Sequence, residues 1–227
     1  MIDVRVISIG ALAAHPIWGE RSPVRTGHAT TTLVRSGDVT LLVDPGLPFE
    51  ALQARLAERA GIAANDVTHV FLTSFTPDVW RGIEGFENAE WLIHEPEREQ
   101  IGAALIGEVK RASDAGDDEV ASALARDVAI LKRCVAAPDS LAPQVDLFPL
   151  PGVTPGSCGV IIGDVRTTTV ICGDAVPTLE HLEEGKVLPR CADIEAAKAS
   201  LMEAIEIADV LVLGRDNLVV NPTRGPF

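Results

Sequence analysis

Apolar residues in the first third of the chain alternate with polar ones at the two-residue period of a β-strand. Residues 4–9 and 30–35 are predicted strands, and a Ser-Gly-Asp turn leads from the second into a third strand at residues 39–43. An Asp-Pro-Gly turn at residues 44–46 ends this third strand. The pattern therefore predicts a β-hairpin that closes in a tight turn.

Helical spacing of leucine and alanine begins after this turn. It predicts a helix over residues 49–60, which Gly61 ends as a C-cap, and a strand follows over residues 67–73. Residues 95–136 are also helical in pattern, apart from an acidic, glycine-containing break at residues 113–118. We expect this break to be a mobile, solvated loop between two helices.

Short β-like runs recur after a proline-containing link and mark a second sheet. They lie at residues 145–150, 160–162 and 166–172. Asp193 is then predicted to cap a helix over residues 194–208, and residues 210–213 form a short buried strand. Two strand-rich halves, each followed by helices, predict an α/β (α+β) fold, with two sheets face to face and helices outside. This is a four-layer αββα sandwich.

Composition narrows the possible partners. The 227 residues suit one domain spanning residues 1–227. A formal net charge of −14 repels nucleic acid and anionic lipid surfaces, so neither is expected as a partner. There is no apolar run of membrane-spanning length and the N-terminus lacks the pattern of a secretory signal, so we predict a cytoplasmic protein. The four widely spaced cysteines are expected to be reduced and mostly buried.

Five short segments carry a stronger signal. They read Leu-Leu-Val-Asp-Pro-Gly at 41–46, Val-Phe-Leu-Thr-Ser-Phe-Thr-Pro-Asp-Val-Trp-Arg-Gly at 70–82, Leu-Pro-Gly-Val-Thr-Pro-Gly-Ser at 150–157, Cys-Gly-Asp-Ala at 172–175 and Gly-Arg-Asp-Asn at 214–217. Alone, such segments are ordinary turns. In this order and spacing they resemble the signature of the metallo-β-lactamase superfamily of hydrolases, over nearly the whole chain. That resemblance implies the same αββα fold.

The same resemblance implies a pair of metal positions that has been altered. In the family, three histidines hold one metal ion, and two aspartates with two histidine positions hold a second. A hydroxide between the two ions attacks the substrate. The first ligand set corresponds here to Ser74, Thr76 and Val153. The second ligand set corresponds to Asp78, Val79, Asp174 and Arg215. Five of the seven positions have lost histidine, so the usual hydrolysis should fail for lack of a metal-activated water.

Arg215 is the most informative of these substitutions, because it places a permanent positive charge where a neutral imidazole would approach a metal ion. We predict that its guanidinium joins Asp78 to Asp174 by charge-assisted hydrogen bonds in place of the missing cations. The alternative is an arginine that points into solvent. Asp44 corresponds to a residue that orients a metal-binding histidine, and we expect it to bond Ser74 or Thr76 instead.

Histidines elsewhere in the chain are weaker candidates. His69, His94 and His181 are expected to be structural residues, whereas His28, at the start of the second strand, has a better chance of facing the cleft.

Three functions remain open. The first is a catalytically silent member, with no cofactor, that binds a small molecule or a protein partner through the remodelled cleft. The second is a hydrolase of altered type that uses one divalent ion held by Asp78 and Asp174, with oxygens of Ser74 and Thr76; Arg215 opposes it. The third is a structural or oligomeric role, since an apolar face on the helix at residues 121–131 makes a homodimer conceivable.

Overall fold

A computed structural model describes residues 2–224 and places their strands in two six-stranded sheets. The first sheet has the order β1-β2-β3-β4-β5-β6 and the second the order β12-β11-β10-β9-β8-β7. The strands are β1 Asp3–Ser8, β2 Thr31–Ser36, β3 Val39–Val43, β4 His69–Leu72, β5 Glu90–Ile93, β6 Val135–Ala136, β7 Ser140–Ala142, β8 Val145–Pro149, β9 Cys158–Gly163, β10 Thr168–Ile171, β11 Val210–Val212 and β12 Leu218–Val220. The helices are α1 Phe49–Ala60, α2 Pro77–Trp80, α3 Glu95–Asp114, α4 Asp118–Arg133, α5 Leu179–Glu184 and α6 Ile194–Ile207.

Three apolar layers show that the predicted four-layer sandwich is correct. Between the sheets, Phe71 of β4 packs with side chains of the second sheet such as Val160. On the outer face of the first sheet, Val70 and Leu72 pack with α1, α3 and α4, and on that of the second sheet, Val170 packs with α5 and α6. Alternate residues of a strand thus enter different cores, which is why the central strands are apolar on both faces.

Most predicted elements are confirmed within a residue or two. The helix at 49–60 is confirmed at both ends, and Gly61 ends it in the left-handed conformation with φ 65°. The predicted break between two helices is present but shorter than residues 113–118, since only residues 115–117 separate α3 from α4. The Asp117 side chain accepts from the Val120 amide and caps α4, so the second helix begins at once. The prediction of helix at residues 135–136 was wrong, because they form β6.

The ends of parallel strands bring the candidate positions to one edge of the sandwich. Strands β3 and β4 are parallel in the first sheet, and the segments after them carry Asp44 and Ser74. Strands β10 and β11 are parallel in the second sheet, and the segments after them carry Asp174 and Arg215. Loops at the carboxyl ends of parallel strands commonly form ligand sites in α/β folds. No helix among residues 2–224 is long and apolar enough to cross a membrane.

Candidate functional site

Arg215 joins Asp78 and Asp174, the two acids of the second ligand set, as predicted. Its Nε and Nη2 donate to Oδ1 and Oδ2 of Asp174, both at 2.7 Å, and its Nη1 donates to Oδ2 of Asp78 at 2.9 Å. The Arg215 side chain is 5% exposed and that of Asp174 8%, whereas that of Asp78 is 37% exposed. The guanidinium therefore makes a buried bidentate pair with one acid and a half-buried contact with the other.

Charge balance explains why an arginine is tolerated at this depth. Burial disfavours the charged guanidinium, but the Asp174 and Asp78 carboxylates outweigh burial, and the pKa of Arg215 is raised above its ordinary value. Arg81 lies 3.4 Å from the other oxygen of Asp78 and adds a second, more exposed cation. Two cations thus face two carboxylates, and the cluster is close to neutral.

Two glycines allow the Asp174 and Arg215 segments to meet. A Cβ added at Gly214 would lie 2.3 Å from the carbonyl oxygen of Gly173, and Gly173 itself has a φ of 53°. Only glycine fits such an approach without displacing the backbone. The Arg215 amide also donates to the Pro177 carbonyl at 2.7 Å, so the arginine is held at its backbone as well as its side chain.

Asp44 does not bond Ser74 or Thr76, contrary to the prediction. Its two carboxyl oxygens accept from the backbone amide and the hydroxyl of Thr73, at 2.8 and 2.7 Å. Asp44 has a φ of 54°, in the left-handed region that few non-glycine residues adopt. Complete burial raises the pKa of Asp44 to about 7, and Asp174 adds to the rise, while Thr73 and Arg215 oppose it.

The first ligand set is not rebuilt in this way. Ser74 is buried after β4, Thr76 begins α2, and Val153 is half-buried in the loop before β9. Among residues 2–224 the hydroxyls of Ser74 and Thr76 have no hydrogen-bond partner, although both oxygens are buried, and Thr154 shares this property. Val79, from the second set, packs in the core beneath α2. Ser74, Thr76, Val153 and Val79 therefore carry no charge that could replace a metal ion.

Glu97 is a site residue that the sequence analysis missed. It is fully buried in the first turn of α3, and its carboxylate accepts from the Phe75 amide at 2.9 Å and the Gly156 amide at 3.0 Å. It therefore ties together the two loops that carry the first ligand set. A glutamate one residue after a proline at a helix start is ordinary in sequence, so only the contact reveals its role.

A cleft of about 240 Å³ opens beside Arg215. Thr178 and Glu180 line it from the start of α5, and His15 and Trp18 line it from the segment between β1 and β2. The Trp18 indole donates to Glu180 at 3.0 Å and stacks on His15 with ring centres 4.1 Å apart. His15 Nε2 lies 3.1 Å from the Thr178 hydroxyl. Neither His15 nor Trp18 was a candidate, because no motif marks them.

The predicted histidines are occupied by structural contacts. Both ring nitrogens of His28 lie near backbone carbonyls, of Thr26 at 3.3 Å and Ile9 at 3.1 Å, and His28 is not among the residues that line the cleft beside Arg215. His94 Nδ1 lies 2.8 Å from the Gly156 carbonyl. His181 contacts the Thr178 hydroxyl, and burial beside His15 lowers its pKa to about 4. The four cysteines are free thiols, three of them buried.

The donor chemistry does not fit a pair of metal ions. Within residues 2–224 no group of three or more histidine, cysteine, aspartate or glutamate side chains is placed to hold a metal ion. Zinc requires imidazole, thiolate or carboxylate ligands, and here alkyl groups and hydroxyls replace most of them. Three of the four carboxylate oxygens in the second set accept from Arg215, and the fourth, Asp78 Oδ1, lies 3.4 Å from Arg81.

Comparison with known families agrees with the fold and the segment order. The sequence profile of the metallo-beta-lactamase superfamily matches residues 24–214. This chain therefore belongs to the metallo-beta-lactamase superfamily. Among curated protein sequences, none matches the chain.

Solved structures of the same fold cover almost the whole chain at low identity. A Thermotoga maritima protein, provisionally described as a metallo-beta-lactamase, is 17% identical with a TM-score of 0.69, and covers 96% of this chain and 99% of its own. AidC, a dizinc quorum-quenching lactonase bound to its product N-hexanoyl-L-homoserine, is 18% identical with a TM-score of 0.66, covering 87% and 76%. AiiA of B. thuringiensis, with N-decanoyl-L-homoserine at its active site, is 17% identical with a TM-score of 0.65, covering 95% and 92%. At such identities the similarity establishes the fold.

Proposed function

We propose that this protein is a metal-independent member of its superfamily that binds a small molecule through the cleft beside Arg215. The observation that carries the proposal is the guanidinium of Arg215, bonded to both Asp78 and Asp174. A cation that is part of the chain neutralises these acids permanently, whereas a metal ion would have to displace it. The one-metal hydrolase is therefore the less favoured alternative.

The donors of Arg215 suggest what kind of ligand group the cleft accepts. A guanidinium carries five N–H donors. Three of them bond the two aspartates, and no further acceptor for the others is found among residues 2–224. Arg215 lines the cleft, so the remaining donors can bind an oxygen of a ligand. Because its charge is already offset, a neutral carbonyl is favoured over a carboxylate.

The dimensions and walls of the cleft favour a small ligand over a protein partner. Its volume of about 240 Å³ lies below the roughly 300–1,000 Å³ of drug-sized sites. Trp18 provides an apolar wall, while Glu180 and Asp216 add acceptors that can bind hydroxyl or amide donors of the ligand.

Metal analysis of protein purified without chelators tests the first part of the proposal. We expect far less than one transition-metal or magnesium ion per chain by mass spectrometry. The matched control combines Ser74→His, Thr76→His, Val79→His, Val153→His and Arg215→His, and should gain zinc. A stoichiometric ion in the unaltered protein, lost on Asp78→Asn or Asp174→Asn, would contradict the proposal and favour the one-metal hydrolase.

Trp18 fluorescence tests the second part. Trp18 is 59% exposed in the cleft wall, whereas Trp80 and Trp91 are buried at 5% and 3% exposure. A short-chain N-acyl-L-homoserine lactone and its ring-opened acid form a pair of probes that differ mainly in charge. We expect the lactone to change the Trp18 emission at lower concentration than the acid does, and Trp18→Phe to abolish the change. Preference for the acid would contradict the neutral-carbonyl assignment.

A further inference from the structure

The hairpin formed by α3 and α4 leaves much of its own surface unpacked. The 16-residue α4 fully buries only Ile130 and Leu131, both near its end, while α6 buries residues along most of its length. The long α3 buries only three of its 20 residues. The two helices pack against each other, against the edge strand β6 through α3, and on the first sheet through Leu105, Ile130 and Leu131. This hairpin therefore has an outer face that the rest of the fold does not cover.

An apolar groove runs along that outer face. Two adjoining cavities of about 150 and 250 Å³ share Ile106, Val128 and Lys132 as lining residues. Gly102, Val109 and Ala125 complete the apolar part of the groove. Ile106 is 63% exposed, which is unusual for an isoleucine near the middle of a helix. A continuous exposed apolar strip of this kind marks an interaction surface.

Charge differs between the two ends of the groove. Arg98 and Lys132 line the end near the body of the protein, with one acid, Glu99, beside them. The opposite end, at the tip of the hairpin, is acidic despite Lys110 and Arg111. Its acids are Asp114, Asp117, Asp118 and Glu119. An antiparallel second copy would place each basic end against the acidic tip of the other chain, and two-fold symmetry makes this contact twice.

Contact over the whole outer face of the hairpin reaches the lower limit of area for a specific interface. A 20-residue helix is about 30 Å long, and two helices side by side are about 20 Å wide. The outer face thus offers roughly 600 Å² per copy and about 1,200 Å² in total, which is the lower limit for a specific interface.

We propose that the groove between α3 and α4 binds the same groove of a second copy of this chain, antiparallel, as a four-helix contact. Two chains that each carry a net charge of −14 repel one another at most orientations. The antiparallel arrangement is the one in which unlike charges meet at both ends of the apolar strip. This proposal is independent of the function assigned to the cleft.

Sedimentation of the full chain, measured over a wide range of concentrations, tests the proposal. We expect the mass of two chains at high concentration. Ile106→Glu and Val128→Glu should each weaken association by at least about tenfold, since a charge would enter the centre of the contact. Val165→Glu is the matched control, because Val165 is 91% exposed in the turn between β9 and β10. A single-chain mass at all concentrations, or an equal effect of the control, would overturn the proposal.

Charge reversal tests the orientation. Lys132→Glu alone and Asp114→Lys alone should each weaken the pair, while the two together should restore it, since each contact would again join unlike charges. Circular dichroism confirms that each variant keeps its helices. Failure of the double variant to recover would overturn the antiparallel arrangement.

Discussion

The positions that correspond to the two ligand sets differ in how their polar groups are paired. At the second set, the Arg215 guanidinium pairs with Asp78 and Asp174 at 2.7 to 2.9 Å. In the first set, Ser74 and Thr76 carry buried hydroxyls without a partner among residues 2–224. The set that contains acids is paired with a cation, whereas the set of Ser74, Thr76 and Val153 contains no acid and no cation.

This difference shows which of these positions depend on a partner for stability. A buried carboxylate without a counter-charge is strongly unfavourable, so Asp174 and Arg215 depend on one another. Neutral hydroxyls cost much less when left unpaired. The first set is instead held from outside, by the contacts of Glu97 with Phe75 and Gly156.

Loss of Arg215 should have the largest effect. Arg215→Ala leaves Asp174 buried beside Asp44 with no cation at contact distance, and we expect about 3–5 kcal/mol lower free energy of unfolding in urea. Arg81→Ala removes the exposed partner of Asp78 and should cost at most about 1 kcal/mol. Asp174→Asn added to Arg215→Ala should recover part of the loss. Equal effects of the two arginine substitutions would show that the buried pair of Arg215 and Asp174 contributes no more than the more exposed contact of Arg81 with Asp78.

The pH dependence of stability should reflect the ionisation of Asp44, whose pKa is influenced by Asp174 and Arg215 of the second set. Its folded-state pKa of about 7 is above the ordinary aspartate value near 4, so the folded chain holds a proton that the unfolded chain releases. This contribution to stability is complete below pH of about 4 and is lost as pH rises through about 7. At about 1.4 kcal/mol for each unit of pKa difference, the contribution of Asp44 to stability is about 4 kcal/mol at most.

Asp44→Asn is the matched control for this pH effect. Asparagine cannot titrate and tolerates the left-handed backbone of Asp44, whose φ is 54°. Unfolding measured from pH 4 to pH 8 should decline less steeply in the variant. Parallel curves for the two proteins would show that Asp44 is already ionised at pH 4.

Removal of the Glu97 carboxylate should have an intermediate effect on stability, because this carboxylate holds the two loops that carry the first set. Glu97→Ala leaves the Phe75 and Gly156 amides without their acceptor, and we expect a loss of about 3 kcal/mol in the free energy of unfolding. Glu97→Gln keeps one acceptor and should lose about half as much. Glu95→Gln, at an exposed position in the same helical turn, is the control. A small loss for Glu97→Ala would mean that the two loops do not depend on this carboxylate.

The fold was predictable from sequence because strand alternation, the Asp-Pro-Gly turn and the Gly-Asp-Ala segment mark its layers and loops. The Arg215 bridge was predictable only through the resemblance to the superfamily, which implies that Asp78, Asp174 and Arg215 meet although Asp78 and Arg215 are 137 residues apart in the chain. The contact of Asp44 with Thr73 was not predictable, since it depends on a left-handed φ at Asp44. The choice between adjacent hydroxyls is decided by backbone direction.

Other parts of the site depend on contacts between distant segments. His15 and Thr178 are far apart in the chain yet lie 3.1 Å apart, and neither belongs to a motif. Glu97 meets Gly156 through the packing of α3 against the loop before β9. Such pairings arise from tertiary packing, and a single sequence carries no periodic signal for them.

The smallest change in the free energy of unfolding is expected for the hydroxyls of the first set. Whether this change is stabilising or destabilising distinguishes them from the acids of the second set. Ser74→Ala and Thr76→Val remove buried oxygens that have no partner among residues 2–224, so each should change the free energy of unfolding by less than about 1 kcal/mol and can stabilise the fold. Thr73→Val is the contrasting control, because the Thr73 hydroxyl donates to Asp44 at 2.7 Å and its loss should destabilise. If Ser74→Ala destabilises the fold as much as Thr73→Val does, a bound water or ligand forms a hydrogen bond with Ser74. Both sets would then have a bonding partner for their polar groups, which is Arg215 in the second set and a bound molecule in the first.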